Sequence, residues 1–276
     1  MRISGQNPHG VRRLAVFVRG RCDHAGMDYS ELRRHLDAEY ALMLAATEAA
    51  EPDARVPTCP DWTATDLAHH VAVVYLHKVE AIRLQAWPRP WPPDLSGQAP
   101  AAALTGGWAA LTGQLDAHQP GDPARTWYDL DQTVGFWVRR MAQETVIHRI
   151  DAQLAAGQPV SPIDPDFAVD TVDEVLTLFL EWGSKDWAQA YAGAFDDVDS
   201  RILEIATPQR SWFVAANHEG VIVEEAPNAD VAARVSGDAE SLARWLWNRG
   251  GDGGVTTSGD ASLVEQLKGL LVRGTQ

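Results

Sequence analysis

The stretch that most constrains this chain is Arg139–Gly157, RRMAQETVIHRIDAQLAAG. Glu144 and His148 are four residues apart, so on a helix their side chains stack on one face, one turn from each other. Asp151 follows His148 by three and lies near enough to that face to orient an imidazole. Met141, Ile147 and Leu154 continue an apolar stripe, which turns the face inward. A carboxylate and an imidazole one turn apart on an inward stripe are either a structural ion pair or two ligands of a metal. A third ligand elsewhere in the chain would decide between them.

The remaining texture places this helix in a bundle. Asp28 to about Glu51 is rich in Ala, Leu and Glu at helical spacing and predicts a first helix. EPDARVPTCPDW carries three prolines and cannot be helical throughout. Thr63 is a good N-cap with Asp66 three residues on, opening a second helix to about Ala86. WPRPWPPDLSGQAP is a proline-rich loop, long enough for a lid or pocket wall. A third helix, about Ala101–His118, is weakened by Gly106 and Gly107. The fourth runs from about Thr133 to Ala156 with Gly157 as its cap. Four such helices describe a four-helix bundle. A fifth follows at about Asp166–Gly183.

After Asp199 the pattern changes. RILEIAT, SWFVAAN and GVIVEEA are short β-branched runs, with Asn217–Gly220 placed to close a hairpin. ADVAARVSG reads as a strand, ESLARWLWNR as a helix, GVTTSG as a strand or turn and SLVEQLKGLL as a final helix. The expected architecture is therefore α plus α+β, with a helix bundle over residues 27–190 and a small α+β domain over 195–276. Residues 1–26, with five arginines around a short LAVFV core, read as a disordered extension rather than a signal peptide.

Composition narrows the function. The chain has 276 residues and a formal net charge of -15, which argues against nucleic-acid or anionic-membrane binding. No run approaches the length of a membrane span. The two cysteines, Cys22 and Cys59, make no disulfide framework and fit a reducing, cytoplasmic setting. Of the eleven tryptophans, most are expected in the core and some at a pocket.

A divalent ion in a bundle core needs inward His and carboxylate side chains from more than one helix. On the second helix, His70 shares the Leu67–Val74 face and should point in, whereas His69 is about 100° round and should not. His70, Glu144 and His148 would then form a two-His, one-carboxylate set with a coordination position open, as catalytic zinc sites have. Asp151 would hydrogen-bond one ligand from behind. From spacing alone, a satisfied ion pair and a partnered core histidine remain the competing readings.

The segments TCPDWTATDLAHHVA (58–72) and RRMAQETVIHRIDAQLAAG (139–157) resemble the paired signatures of the mycothiol-dependent maleylpyruvate isomerase family. That resemblance implies a DinB-like four-helix bundle followed by a domain similar to sterol carrier proteins. It also implies a divalent metal, usually zinc, on His70, Glu144 and His148, with mycothiol as thiol cofactor. An arginine of the C-terminal domain is implied to hold an acidic substrate. Arg249 is the best positional match and expected catalytic residue, with Arg210 and Arg244 as further candidates. The chain departs from the pattern in residues 1–26, at Tyr75 where many members carry a second histidine (His77 is nearby), and in the Trp- and Pro-rich loop.

The chemistry so implied is a metal-activated thiolate attacking a small electrophile or an unsaturated acid, for cis–trans isomerisation or S-transfer. Cys59, before Pro60, is expected to pack rather than react. Two alternatives from other classes are a regulatory module that keeps the fold without chemistry and a metal-water hydrolase. Monomer and homodimer are both compatible with the sequence.

Overall fold

The computed structural model describes residues 27–187, 189–250 and 253–275. The extension expected over residues 1–26 lies outside them, as does Cys22.

Helix α1 (Tyr29–Ala49) begins on a capping box: Asp28 accepts from the Glu31 backbone N–H, and Glu31 accepts from that of Asp28. Helix α2 (Ala64–Leu84) opens the same way on Thr63 and Asp66. Helices α3 (Pro100–Ala117) and α4 (Val134–Ala155) complete the bundle. Helix α3 runs unbroken through Gly106 and Gly107. A Cβ on Gly107 would meet the Ala72 carbonyl oxygen at 2.9 Å, so the glycine lets α3 lie close against α2. Helix α4 is the central rod of the bundle: almost every residue from Phe136 to Gln153 is buried, charged ones included. Gly157 follows with φ +66°, the left-handed conformation of a helix stop.

Two features go beyond the sequence reading. The proline-bearing segment between α1 and α2 forms an antiparallel ribbon, β1 (Arg55–Val56) with β2 (Cys59–Thr63). The fifth helix is α-helical only over α5 (Pro165–Glu174). It then widens into a π-helix (Val175–Trp182) before a last turn, α6 (Gly183–Asp186). Such wide turns present side chains at angles that an α-helix does not reach. Here Phe179 packs edge-on to Trp247, and Trp182 joins Trp127 and Trp187.

The C-terminal half is a five-stranded sheet in the order β5 (Gly220–Glu224), β4 (Ser211–Asn217), β3 (Ile202–Ala206), β6 (Val231–Gly237), β7 (Val255–Gly259). Only the β3–β6 pair is parallel. In β4, Trp212, Val214 and Ala216 are buried at alternate positions, as a strand packed on one face requires. Helices α7 (Ala239–Leu246) and α8 (Ala261–Thr275) pack with the sheet. One continuous apolar core runs from Leu36 and Tyr75 through Trp137 to Trp212 and Leu246. The Trp212 indole N–H donates to Asp173 of α5 at 3.0 Å, tying sheet to helix. Among the described residues no helix is long and apolar enough to cross a membrane.

Candidate metal centre

His70 comes from α2, Glu144 and His148 from α4, and the three meet. One ligand atom from each lies within 4.8 Å of the others. Glu144 Oε1 is 3.3 Å from His70 Nε2 and 3.3 Å from His148 Nε2. His69, one step round the helix, is 3.0 Å from the Gln98 carbonyl oxygen instead. Contacts of 3.3 Å are long for charge-assisted bonds. A carboxylate oxygen shared at that range by two imidazole nitrogens is a donor set that suits a divalent transition-metal ion.

What lies behind the three residues fixes how they face. His148 Nδ1 is 2.9 Å from Asp151 Oδ2, which leaves Nε2 as the atom free to bind an ion. Asp151 is completely buried and takes further bonds from Thr58 Oγ1 at 2.5 Å and from Arg249 Nε and Nη2, both at 3.0 Å. Burial opposes the Asp151 carboxylate, but His148 and Arg249 outweigh it and hold the group down at about 2. Burial likewise opposes the His148 imidazolium, yet its bonds to Asp151 and Glu144 lift it to about 9. Glu144 is half-buried, and Arg140, with His148 and His70, keeps it well below the usual carboxylate range.

The sequence reading missed Arg140. It lies four residues before Glu144, the same spacing that singled out Glu144 and His148, so the signal was present. Its guanidinium, almost fully buried, bridges Glu144 Oε2 and Glu174 Oε2. Glu144 therefore turns one oxygen to Arg140 and the other to the histidines. Burial pushes the Glu174 carboxyl up to about 7 despite Arg140.

Arg249 sits in the same shell, with its guanidinium on Asp151, on the Trp247 carbonyl at 2.8 Å and 3.5 Å from Cys59 Sγ. Arg210 is 3.0 Å from Asp173, and Arg244 lies against the Arg249 carbonyl and Glu240. His77, the nearby substitute for the second histidine, is not in the cluster. It stacks on Trp87 and meets Trp91 edge-on, both in the proline-rich loop, and burial brings its imidazole down to about 4.

The cluster opens on a cavity of about 580 Å³. Its lining comprises Thr58 to Trp62 of the ribbon, the three cluster residues, Arg140, Ile147, Phe179, Trp247, Arg249 and Thr275. The bundle, the π-helix and the C-terminal half thus each contribute wall. Cys59 faces this space with its thiol pushed up by burial, and so protonated at neutral pH. A second, more open groove of about 790 Å³ shares Asp61, Trp62 and His70 with the first and is walled by Pro92–Ser96 of the proline-rich loop.

Residues 33–153 match the family model described as the mycothiol maleylpyruvate isomerase N-terminal domain, and residues 166–266 match the C-terminal domain model of the same family. Among solved structures, a histidine-to-alanine variant of the mycothiol-dependent maleylpyruvate isomerase superposes with a TM-score of 0.52 at 16% identity, covering 85% of this chain and 95% of that one. The unsubstituted enzyme gives 0.46 at 15% identity over the same shares, 85% and 95%. A protein described as UbiJ-SCP2, a ubiquinone synthesis protein, is covered over 97% of its length by 40% of this chain, at 16% identity and a TM-score of 0.26. No curated protein sequence matches the chain.

Proposed function

The chain belongs to the mycothiol-dependent maleylpyruvate isomerase family, and on that premise we propose that it is a zinc-dependent enzyme using mycothiol. The reaction class is cis–trans isomerisation of a maleylpyruvate-like acid or S-transfer to a small electrophile. One observation carries the reading: two imidazole nitrogens and a carboxylate oxygen converge within 4.8 Å at the wall of a cavity large enough for a small substrate. A zinc ion on His70, Glu144 and His148, joined by a low-molecular-weight thiol, would supply a soft thiolate nucleophile at neutral pH, which both reaction classes need.

The chain's own residues prepare that chemistry. Asp151 fixes the His148 ring, and Thr58 and Arg249 fix Asp151. Arg140 occupies the second oxygen of Glu144, so the carboxylate presents one donor rather than two. Phe179 and Trp247 give the cavity wall apolar surface. Cys59 is protonated and does not compete as nucleophile. The same donor set would serve a metal-water hydrolase, and it is the family match that favours the thiol reactions over that reading and over a regulatory module.

The test is metal content and thiol dependence on purified protein. Wild type should carry one zinc per chain, His70→Ala and His148→Ala should carry far less, and turnover of an activated-alkene substrate should require mycothiol. Turnover that is unchanged without thiol would end both reaction classes, and absence of stoichiometric metal would end the enzyme reading.

A further inference from the structure

The segment between α2 and α3, WPRPWPPDLSGQAP, is fastened to the helix that carries His70. On α2, His69, Ala72, Val73 and Leu76 recur at the i, i+3, i+4, i+7 spacing of one helix stripe, beside the one that holds His70. Leu95 of the loop buries itself against this stripe, in a small core of its own with Ala72 and with Ala103 of α3, flanked by Val73 and Leu76. His69 Nε2 lies 3.0 Å from the Gln98 carbonyl oxygen and donates to it. The two histidines of DLAHHVA thus have separate tasks. His70 belongs to the cluster, and His69 holds the loop.

Between loop and helix lies the groove of about 790 Å³, and it shares Asp61, Trp62 and His70 with the enclosed cavity. The Trp62 ring stands 4.7 Å from that of His70 and is part of both walls. His70 is the one cluster residue that lines both spaces, and its side chain is 36% exposed against 10% for His148. A ligand in the groove therefore meets the same imidazole that the cavity presents.

The two spaces differ in charge. Arg140 and Arg249 line the cavity. Among the described residues lining the groove there is no lysine or arginine, and Asp61, Asp66 and Asp94 stand along it with Trp62, Pro92 and Pro93. An acidic substrate is favoured by the first and repelled by the second. Carboxylates accept hydrogen bonds from hydroxyl groups, and indole and proline rings offer apolar faces to the C–H side of a sugar ring. The groove suits an uncharged, hydroxyl-rich group.

We propose that this groove binds the uncharged carbohydrate part of mycothiol, with the sulfur reaching the cluster past Trp62 and His70, while the acidic substrate occupies the cavity lined by Arg140 and Arg249. This rests on the thiol reading above and adds to it a site for the body of the thiol. The proline-rich loop thereby sets which thiol the protein accepts.

S-methyl mycothiol serves as probe, because its capped sulfur cannot bind a metal as thiolate. In the metal-free protein, carbodiimide-driven coupling of glycine ethyl ester, read by peptide mass spectrometry, labels exposed carboxylates. The probe should slow labelling of Asp61 and Asp94 severalfold and leave exposed Glu48 of α1, which lines neither space, unchanged. Calorimetry should show the double variant Asp61→Ala/Asp94→Ala binding the probe about tenfold more weakly than wild type. In the zinc-loaded protein the same variant should bind N-acetylcysteine methyl ester, an uncharged thiol without a sugar, as wild type does. Asp66 is kept because it caps α2. The proposal is overturned if the probe leaves Asp61 and Asp94 labelling unchanged, if Glu48 is protected equally, if the double variant binds the probe as wild type does, or if it weakens both thiols alike. Labelling and probe binding need neither zinc nor a free thiol, so a failure of zinc loading or of thiol-dependent turnover would count against the reaction reading alone.

Discussion

Helix α4 carries two buried charged groupings side by side, and they are built to different ends. One is the Glu144–His148 pair. The other starts one residue on, at Arg149, which donates from Nε to Glu39 of α1 at 2.7 Å. Its Nη1 donates to Gln153 at 3.1 Å and to the Ser161 carbonyl at 2.7 Å, and Gln153 in turn bonds Ser161. These bonds are short, and none of the four residues lines a cavity described above. In the cluster, the shared carboxylate oxygen is 3.3 Å from each imidazole nitrogen and faces open space. A network of short bonds away from both cavities is structural, even though Nη2 of Arg149 has no hydrogen-bond partner among the described residues. An open one with long contacts beside a cavity has capacity left for a ligand.

Removing one acid from each grouping separates the two most sharply. Glu144→Ala should lower zinc affinity by more than about a hundredfold, because it deletes a donor rather than a supporting bond. Competition with a chelating dye measures this, and undiminished affinity would remove Glu144 from the site. Glu39→Ala should instead cost about 3–5 kcal/mol of folding stability, since it strands the fully buried Arg149. Zinc affinity of the folded fraction should not change. Denaturant melts with zinc titration separate the two outcomes.

Acidity sharpens the same contrast in the metal-free protein. His148 is lifted from 6.5 to about 9, so its charge stabilises the fold fully below 6.5 and that contribution is lost as pH rises through 9. Wild type should therefore lose on the order of 2–3 kcal/mol more than His148→Gln between pH 6.5 and 9.5. Parallel stability curves would mean that the imidazolium gains nothing from Asp151 and Glu144. Next in size is Asp151→Asn, which keeps the shape but loses the charge that orients His148. Zinc affinity should fall by about 10- to 100-fold. A variant indistinguishable from wild type would reduce Asp151 to packing.

Much of this was legible because it is local. Thr63 with Asp66, Gly157 and the alternation in SWFVAAN each act within a few residues, and each appears in the structure as its pattern implies. The facing of His70 and the turning away of His69 follow from helical periodicity alone. Arg140 was legible by the same spacing and lies inside the Arg139–Gly157 stretch, but its side chain is not of a metal-ligating type. The partner of Arg249 was not legible. Asp151 is 98 residues from Arg249, and nothing local to either announces the bond. The π-helix was hidden for a related reason: VLTLFLEW reads as a buried apolar helix at either winding.

The smallest expected effect concerns Cys59, and it bears on whether the open grouping uses the chain's own sulfur. Cys59 faces the cavity, and Arg249 Nη2 is 3.5 Å from its Sγ, a position that on inspection suits a nucleophile. Burial and the Asp151 charge nonetheless push the thiol up, and Arg249 does not reverse them. A thiol so placed is a weak nucleophile at neutral pH, because the thiolate is the reactive form. Cys59→Ala should leave zinc affinity unchanged and turnover within about twofold, the range of a modest change in cavity packing. Iodoacetamide at pH 7 should modify wild-type Cys59 more slowly than a free cysteine peptide. Fast alkylation, together with loss of turnover in Cys59→Ala, would move the nucleophile from an added thiol to the chain itself. The carboxylate behind His148 would then be holding Arg249 for Cys59 as much as holding the imidazole for a metal.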